Sequence, residues 1–257
     1  MAQIRCNFYS YSLGYPVDIE VTLPSFTSCN LHLPHTHALP GKFPVLYLLH
    51  GHGNDYQAWL RYTSAERYAE EYRMAVVTFS CHNKAYQNAP MGENFYDFLN
   101  EELQEFVENY FPISGKPGER YIAGLPMGGY GALLHGLTNP SKYNAIGAFS
   151  PGIPAENADP DRNRIARFNL FDVTRKALAS GEKLPDLFMC IGDGDFLYER
   201  VTSYRRAFLD GWTASRCRYD DIPGYEHEFA FWDKELVEFL EWIRRDDVYS
   251  KMGRNKV

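Results

Sequence analysis

Five short segments of this chain are apolar almost without a break: PVLYLLHG at 44–51, MAVVTF at 74–79, YIAG at 121–124, AIGAFS at 145–150 and DLFMCIG at 186–192. A strand with one face in water alternates polar and apolar residues, so unbroken runs of this length belong to strands covered on both faces. Helical patterns separate them, at 64–72, 96–111, 129–137, 198–212 and 231–245. In the second of these, Phe98, Leu99, Leu103, Phe106, Val107 and Tyr110 recur three and four apart. Strand and helix in alternation predict right-handed β-α-β units, and hence an α/β fold with a mostly parallel central sheet and helices on both faces. VDIEVTLP at 17–24 does alternate, and residues 7–12 are expected to pair with it, which predicts an antiparallel start. A last strand is expected at 216–222.

The 257 residues suit one domain, 1–257. SPGIPAENADPDRNR, at 150–164, opens a short cap-like excursion around 150–184 rather than a linker, and the last nine residues read as a frayed tail. A formal charge of −7 offers no electrostatic footprint for nucleic acid or an anionic membrane. Cys6, Cys29, Cys81, Cys190 and Cys217 are scattered and odd in number, the pattern of buried small hydrophobes rather than of a disulfide scaffold. With no apolar signal core and no run of about 20 apolar residues, a cytoplasmic location is expected.

In open parallel sheets chemistry gathers just beyond the carboxyl ends of the strands. YIAGLPMGGYG, at 121–131, has the spacing of a nucleophile elbow, G-x-S-x-G, with Pro126 in the serine's position; a glycine-rich turn with proline at a helix start explains the spacing equally well. Asp195 in IGDGDFLYE follows the next strand but one and is placed to orient a histidine, whereas Asp193 reads as a local turn residue. His227 in GYEHEFAFWD follows the last strand. The order 126, 195, 227 is that of nucleophile, acid and histidine in α/β-hydrolases. LLHGHGNDYQAW, at 48–59, sits where that fold supplies a backbone N–H to an oxyanion hole; the two donors are then His52 and Met127.

With VLYLLHG, the helix FYDFLNEEL, YIAGLPMGGYGA, GDGDFLYE and GYEHEFAFWD in this order, the chain resembles the α/β-hydrolase branch that holds tributyrin, feruloyl and acetylxylan esterases and S-formylglutathione hydrolases. The likeness is closest to bacterial tributyrin esterases and spans roughly residues 9–245. The resemblance implies hydrolysis of short-chain acyl or aryl carboxylic esters through an acyl-serine, without cofactor, on a small-molecule ester, in a protein that is plausibly a homo-oligomer. It carries Asp195 and His227 over as acid and base, and His52 and Met127 as oxyanion donors. Its nucleophile does not carry over: Pro126 has no hydroxyl, and a proline φ near −65° excludes the strained left-handed turn. The chain is therefore expected to be inactive or strongly impaired as written. The competing reading is a non-catalytic pseudoesterase that binds small esters or acids.

Other candidates are weaker. Ser80 and Cys81 read as a packing pair at a strand end, and Ser150 as a cap or turn residue. His32, His35 and His37 read as a surface loop, and His135 as packing. His50, His52 and Asp55 form a conceivable metal set, but no metal is assigned. Of Tyr225, Phe229, Phe231 and Trp232, mostly core, Tyr225 or Phe229 is the candidate to border a substrate.

Overall fold

The computed structural model describes residues 1–25, 28–30, 36–90, 92–158, 168–255 and 257. The strands are β1 (Ala2–Ser10), β2 (Tyr15–Leu23), β3 (Val45–Leu49), β4 (Ala75–Phe79), the short pair β5 (Asn88–Ala89) and β6 (Gly92–Asn94), β7 (Arg120–Gly124), β8 (Ala145–Phe149), β9 (Asp186–Gly192) and β10 (Cys217–Ile222). The helices are α1 (Ala58–Tyr62), α2 (Ala65–Tyr72), α3 (Phe95–Asp97), α4 (Leu103–Tyr110), α5 (Met127–Thr138), α6 (Leu170–Ala179), α7 (Tyr198–Phe208) and α8 (Phe229–Trp242). Eight strands form one sheet in the order β1-β2-β4-β3-β7-β8-β9-β10. From β4 to β10 the neighbours run parallel, and the hairpin β1–β2 joins antiparallel through β2.

The five apolar runs are the five central strands, and every residue of β3, β4, β7, β8 and β9 is buried. Each strand divides its side chains between two cores with period two. Val45, Tyr47 and Leu49 enter one core with Val107 of α4, Leu133 of α5, Phe171 of α6 and Tyr204 of α7. Leu46 and Leu48 enter the other with Trp59 of α1, Tyr68 of α2 and Phe239 of α8. β1 and β10 lie at the edges, and β1 alternates half-buried and exposed residues as an edge strand should.

Three local features depart from the sequence reading. The expected single helix at 96–111 is interrupted by a π-helical turn, Phe98–Glu102, between α3 and α4. The wider turn leaves Glu102 buried beneath the β1–β2 connection, where its carboxylate accepts from the Ser10 hydroxyl (2.7 Å) and the Tyr11 (2.8 Å) and Ser12 (2.9 Å) amides. Such an insertion leaves the apolar spacing intact and so hides in the sequence. The excursion after β8 contains a regular helix, α6, begun by the Asn169 side chain accepting from the Phe171 amide. Of the cysteines only Cys81 and Cys190 are buried; Cys29 is exposed and all five are free.

Candidate active site

The turn from β7 into α5 is as tight as backbone allows. A methyl group on Gly124 would overlap the backbone of Gly128, and one on Gly128 would overlap the Leu49 carbonyl of β3. Glycine at both positions is thus a packing requirement and not a matter of flexibility. Between them Pro126 caps α5 with φ −38° and ψ −58°, a right-handed helical conformation. Among the described residues none from 120 to 138 has positive φ. The Pro126 carbonyl accepts from the Tyr130 (3.0 Å) and Gly152 (2.8 Å) amides, and its ring carbon Cδ packs towards Gly51.

β9 and β10 are neighbours in the sheet, so the loops at their carboxyl ends meet. There the His227 Nδ1 donates to Asp195 Oδ2 at 2.8 Å and Oδ1 at 3.0 Å, which leaves Nε2 without a partner among the described residues. Asp195 is buried while the His227 side chain is 23% exposed. Burial alone would raise the Asp195 pKa. Hydrogen bonds from His227, the Leu197 amide and the Ser150 hydroxyl outweigh it and hold the carboxyl below its ordinary value. Asp193 is not a local turn residue: its carboxylate accepts from the Gly224 amide across the two loops at 2.8 Å.

Ser150 is more than a cap. It is fully buried at φ 43°, a left-handed conformation that costs a serine energy, and its hydroxyl accepts from Trp232 Nε1 at 3.0 Å while helping to hold the Asp195 carboxyl charged. Trp232 in turn stands edge-on to the His227 ring at 4.9 Å, and Phe196 covers the ring at 4.4 Å.

His227, Pro126, Met127 and His52 all line one cavity of about 490 Å³. Neither the His52 nor the Met127 amide has a backbone partner among the described residues. Phe229 lines the cavity and Tyr225 does not. Sequence reasoning missed Phe196, Tyr130 and Arg200, which also line it. Phe196 carries a signal in retrospect, a phenylalanine directly after the acid; it is 76% exposed.

The loop holding His52 is tied down from beneath. His50 is buried, its Nδ1 donating to the Gly51 carbonyl (2.7 Å) and its Nε2 accepting from the Cys81 amide (3.0 Å). With both nitrogens engaged and burial lowering its pKa to about 4, His50 is a neutral structural residue and no metal ligand. Gly53 N–H donates to Asn83 Oδ1 (2.7 Å) and Tyr56 N–H to Ser80 Oγ (3.0 Å). Ser80 is thus a loop tether, and Cys81 is buried with its thiol pushed up to about 12. The supporting loop passes through left-handed backbone at His82, Ala85 and Tyr86. His37 is exposed, His32 and His35 lie outside the described residues, and among the described residues no cluster of histidine, cysteine and carboxylate is placed to hold a metal.

A parallel sheet of this order, opening the carboxyl ends of its strands onto a cavity with a histidine backed by a buried aspartate, puts the chain in the α/β-hydrolase class. Residues 22–243 match the family model described as "Putative esterase", and the chain belongs to that family. It is 28% identical to an acetyl esterase of Caldicellulosiruptor saccharolyticus over 95% of this chain and 99% of the relative. Among solved structures it superposes on the substrate-bound fluorophosphonate-binding serine hydrolase F of Staphylococcus aureus with a TM-score of 0.82, at 28% identity, over 95% of this chain and 99% of that one. The S-formylglutathione hydrolase of the same organism gives a TM-score of 0.77, also at 28% identity, over 94% and 98% of the two chains. The lineage is therefore one of carboxylic ester hydrolases. No helix among the described residues is long and apolar enough to cross a membrane.

Proposed function

We propose that the chain is a serine-esterase-type hydrolase of short-chain acyl or aryl esters, built as one α/β-hydrolase domain, whose nucleophile position is filled by Pro126. In this reading His227 is the general base, Asp195 orients it and stabilises its charged form, and the amides of His52 and Met127 hold the oxyanion. The observation that carries it is the Asp195–His227 pair, whose imidazole lines the same cavity as Pro126, Met127 and His52. Nε2 is the nitrogen such a base needs free, and Nδ1 is already committed to the carboxylate. The remaining part, a hydroxyl at 126, is missing, and proline's helical φ removes the strained turn that would present one. The chain as written is then inactive or strongly impaired. A cavity that stays open and walled by aromatic rings without a nucleophile also favours a second reading, a non-catalytic pseudoesterase that binds esters or acids.

Reversion tests the proposal. In Pro126→Ser the hydroxyl attacks the ester carbonyl, its proton passes to His227 Nε2, and the same proton returns to the departing alkoxide to leave an acyl-serine that water then hydrolyses. Loss of such a nucleophile costs about 10⁶-fold in kcat, or about 8 kcal/mol of transition-state stabilisation. Pro126→Ser is expected to hydrolyse p-nitrophenyl acetate far above the parent, and Pro126→Ser with His227→Ala to fall back towards it. A revertant that folds yet stays inert across acyl and aryl esters, while the parent binds them, would establish the pseudoesterase instead.

A further inference from the structure

The cavity has a charge pattern that ester hydrolysis does not require. The chain carries 33 acidic residues, yet among the described residues none lines this cavity; Glu226 and Glu228 flank His227 in sequence and stay outside its lining. Among the described residues, the one permanent charge on the lining is the guanidinium of Arg200. Arg200 is exposed and its guanidinium has neither an ion-pair nor a hydrogen-bond partner among the described residues, whereas Arg205, five residues nearer the end of the same helix, pairs with Asp210 at 2.9 Å. Arg200 is also the third residue of α7, where the positive end of the helix dipole disfavours a cation. A charge kept where the helix opposes it, with no partner and no other permanent charge on the wall among the described residues, is placed for a ligand.

We propose that Arg200 makes this site selective for esters that carry a carboxylate elsewhere in the molecule, such as half-esters of dicarboxylic acids. The guanidinium fork matches a carboxylate in a bidentate pair, and a single cation balances a monoanion but not a phosphate dianion. The aromatic ring of Phe196, four residues before Arg200 and lying over His227, supplies apolar cover for the chain between ester and carboxylate. The inference rests on the proposed esterase site, and its test therefore has one arm that needs no turnover.

In the first arm, the unaltered chain is titrated calorimetrically with the monoethyl and diethyl esters of succinic, glutaric and adipic acids. The monoethyl ester of the best-fitting length is expected to bind at least about tenfold more tightly than its diethyl counterpart. Arg200→Gln removes that preference, Arg200→Lys keeps part of it, and added salt weakens it, because the site is exposed. In the second arm, hydrolysis of the same esters by Pro126→Ser is followed by proton release; Arg200→Gln lowers the monoethyl-to-diethyl ratio of kcat/KM by about tenfold. Equal preference in Arg200→Gln and its parent, in either arm, overturns the assignment. A revertant without activity on any ester overturns the esterase reading alone, since the binding arm still decides the role of Arg200.

Discussion

Acid should unfasten this protein at two buried histidines, His50 and His135. A directed chain of hydrogen bonds ends on His135: Gln104 Nε2 donates to the Tyr143 hydroxyl (2.8 Å), Tyr143 to Asn100 Oδ1 (3.2 Å), and Asn100 Nδ2 to His135 Nδ1 (2.7 Å). His135 Nε2 then donates to the Tyr86 carbonyl (2.8 Å), and the Tyr86 hydroxyl to the His50 carbonyl (2.9 Å). His50 Nε2 accepts from the Cys81 amide and His135 Nδ1 from Asn100, so neither nitrogen can gain a proton without facing another N–H. Burial accordingly lowers both pKa values from 6.5 to about 4. The unfolded chain takes up these protons near pH 6.5 and the folded chain only near pH 4, so this stability is complete above about pH 7 and is lost as pH falls through that window. At pH 5 each histidine costs about 2 kcal/mol and the pair about 4 kcal/mol, a large part of the roughly 5–15 kcal/mol that holds a domain folded. At about 2–4 °C per kcal/mol, the melting temperature should drop by roughly 8–16 °C between pH 8 and pH 5. Differential scanning calorimetry of the parent and of His135→Gln reads the effect directly. The variant should start less stable at pH 8 and lose only about half as much on acidification. Equal losses in the two proteins would refute the linkage, and a melting temperature flat from pH 8 to 5 would refute the buried neutral pair altogether.

Substitutions at two positions probe the packing around the cavity. Gly128→Ala drives a methyl into the Leu49 carbonyl, backbone against backbone with no flexible side chain to yield, and should cost about 3 kcal/mol or more in urea unfolding; undiminished stability would show that the β7–α5 turn is looser than described. Ser150→Ala strands the buried Trp232 N–H and should cost about 2 kcal/mol, while Ser150→Gly loses the same hydroxyl but relieves the left-handed backbone, so it should be the more stable of the two by about 1 kcal/mol. The reverse order would mean that φ at 150 carries no strain.

The sheet was legible because burial on both faces leaves a mark no other environment leaves, and the runs at 44–51, 74–79, 121–124, 145–150 and 186–192 all fall on its central strands. Asp195 and His227 stood out for a related reason: each follows a strand end, and two such ends must meet when the strands are neighbours. What stayed hidden depends on contacts distant in sequence. Nothing local marks Ser150, whose partners lie 45 and 82 residues away on other elements. Asp193 looks like any acid in a glycine turn until the 223–226 loop arrives above it. Arg200 reads as an ordinary surface residue of α7, and only the closure of a cavity against its first turn makes its charge unusual. The π-helical turn before α4 escaped because one extra residue preserves the apolar spacing on either side of it.

The order of strands also governs how the chain can be assembled as it leaves the ribosome. β1, β2, β4 and β3 are neighbours in the sheet and all lie within the first 79 residues, so this half can pair as soon as it emerges. Its inner boundary is β3, whose other edge waits for β7, beginning at residue 120. Until then Val45–Leu49 presents an unpaired row of amides and carbonyls flanked by apolar side chains on both faces, the kind of edge on which nascent chains stick to one another. At about 5–20 residues per second, synthesis of the intervening 40 residues keeps that edge open for a few seconds. Chains released at residue 119 should therefore aggregate, and extension through β7 only hands the open edge on to β7, whose partner β8 begins at residue 145, so the demand for chaperone protection lasts until the sheet is completed.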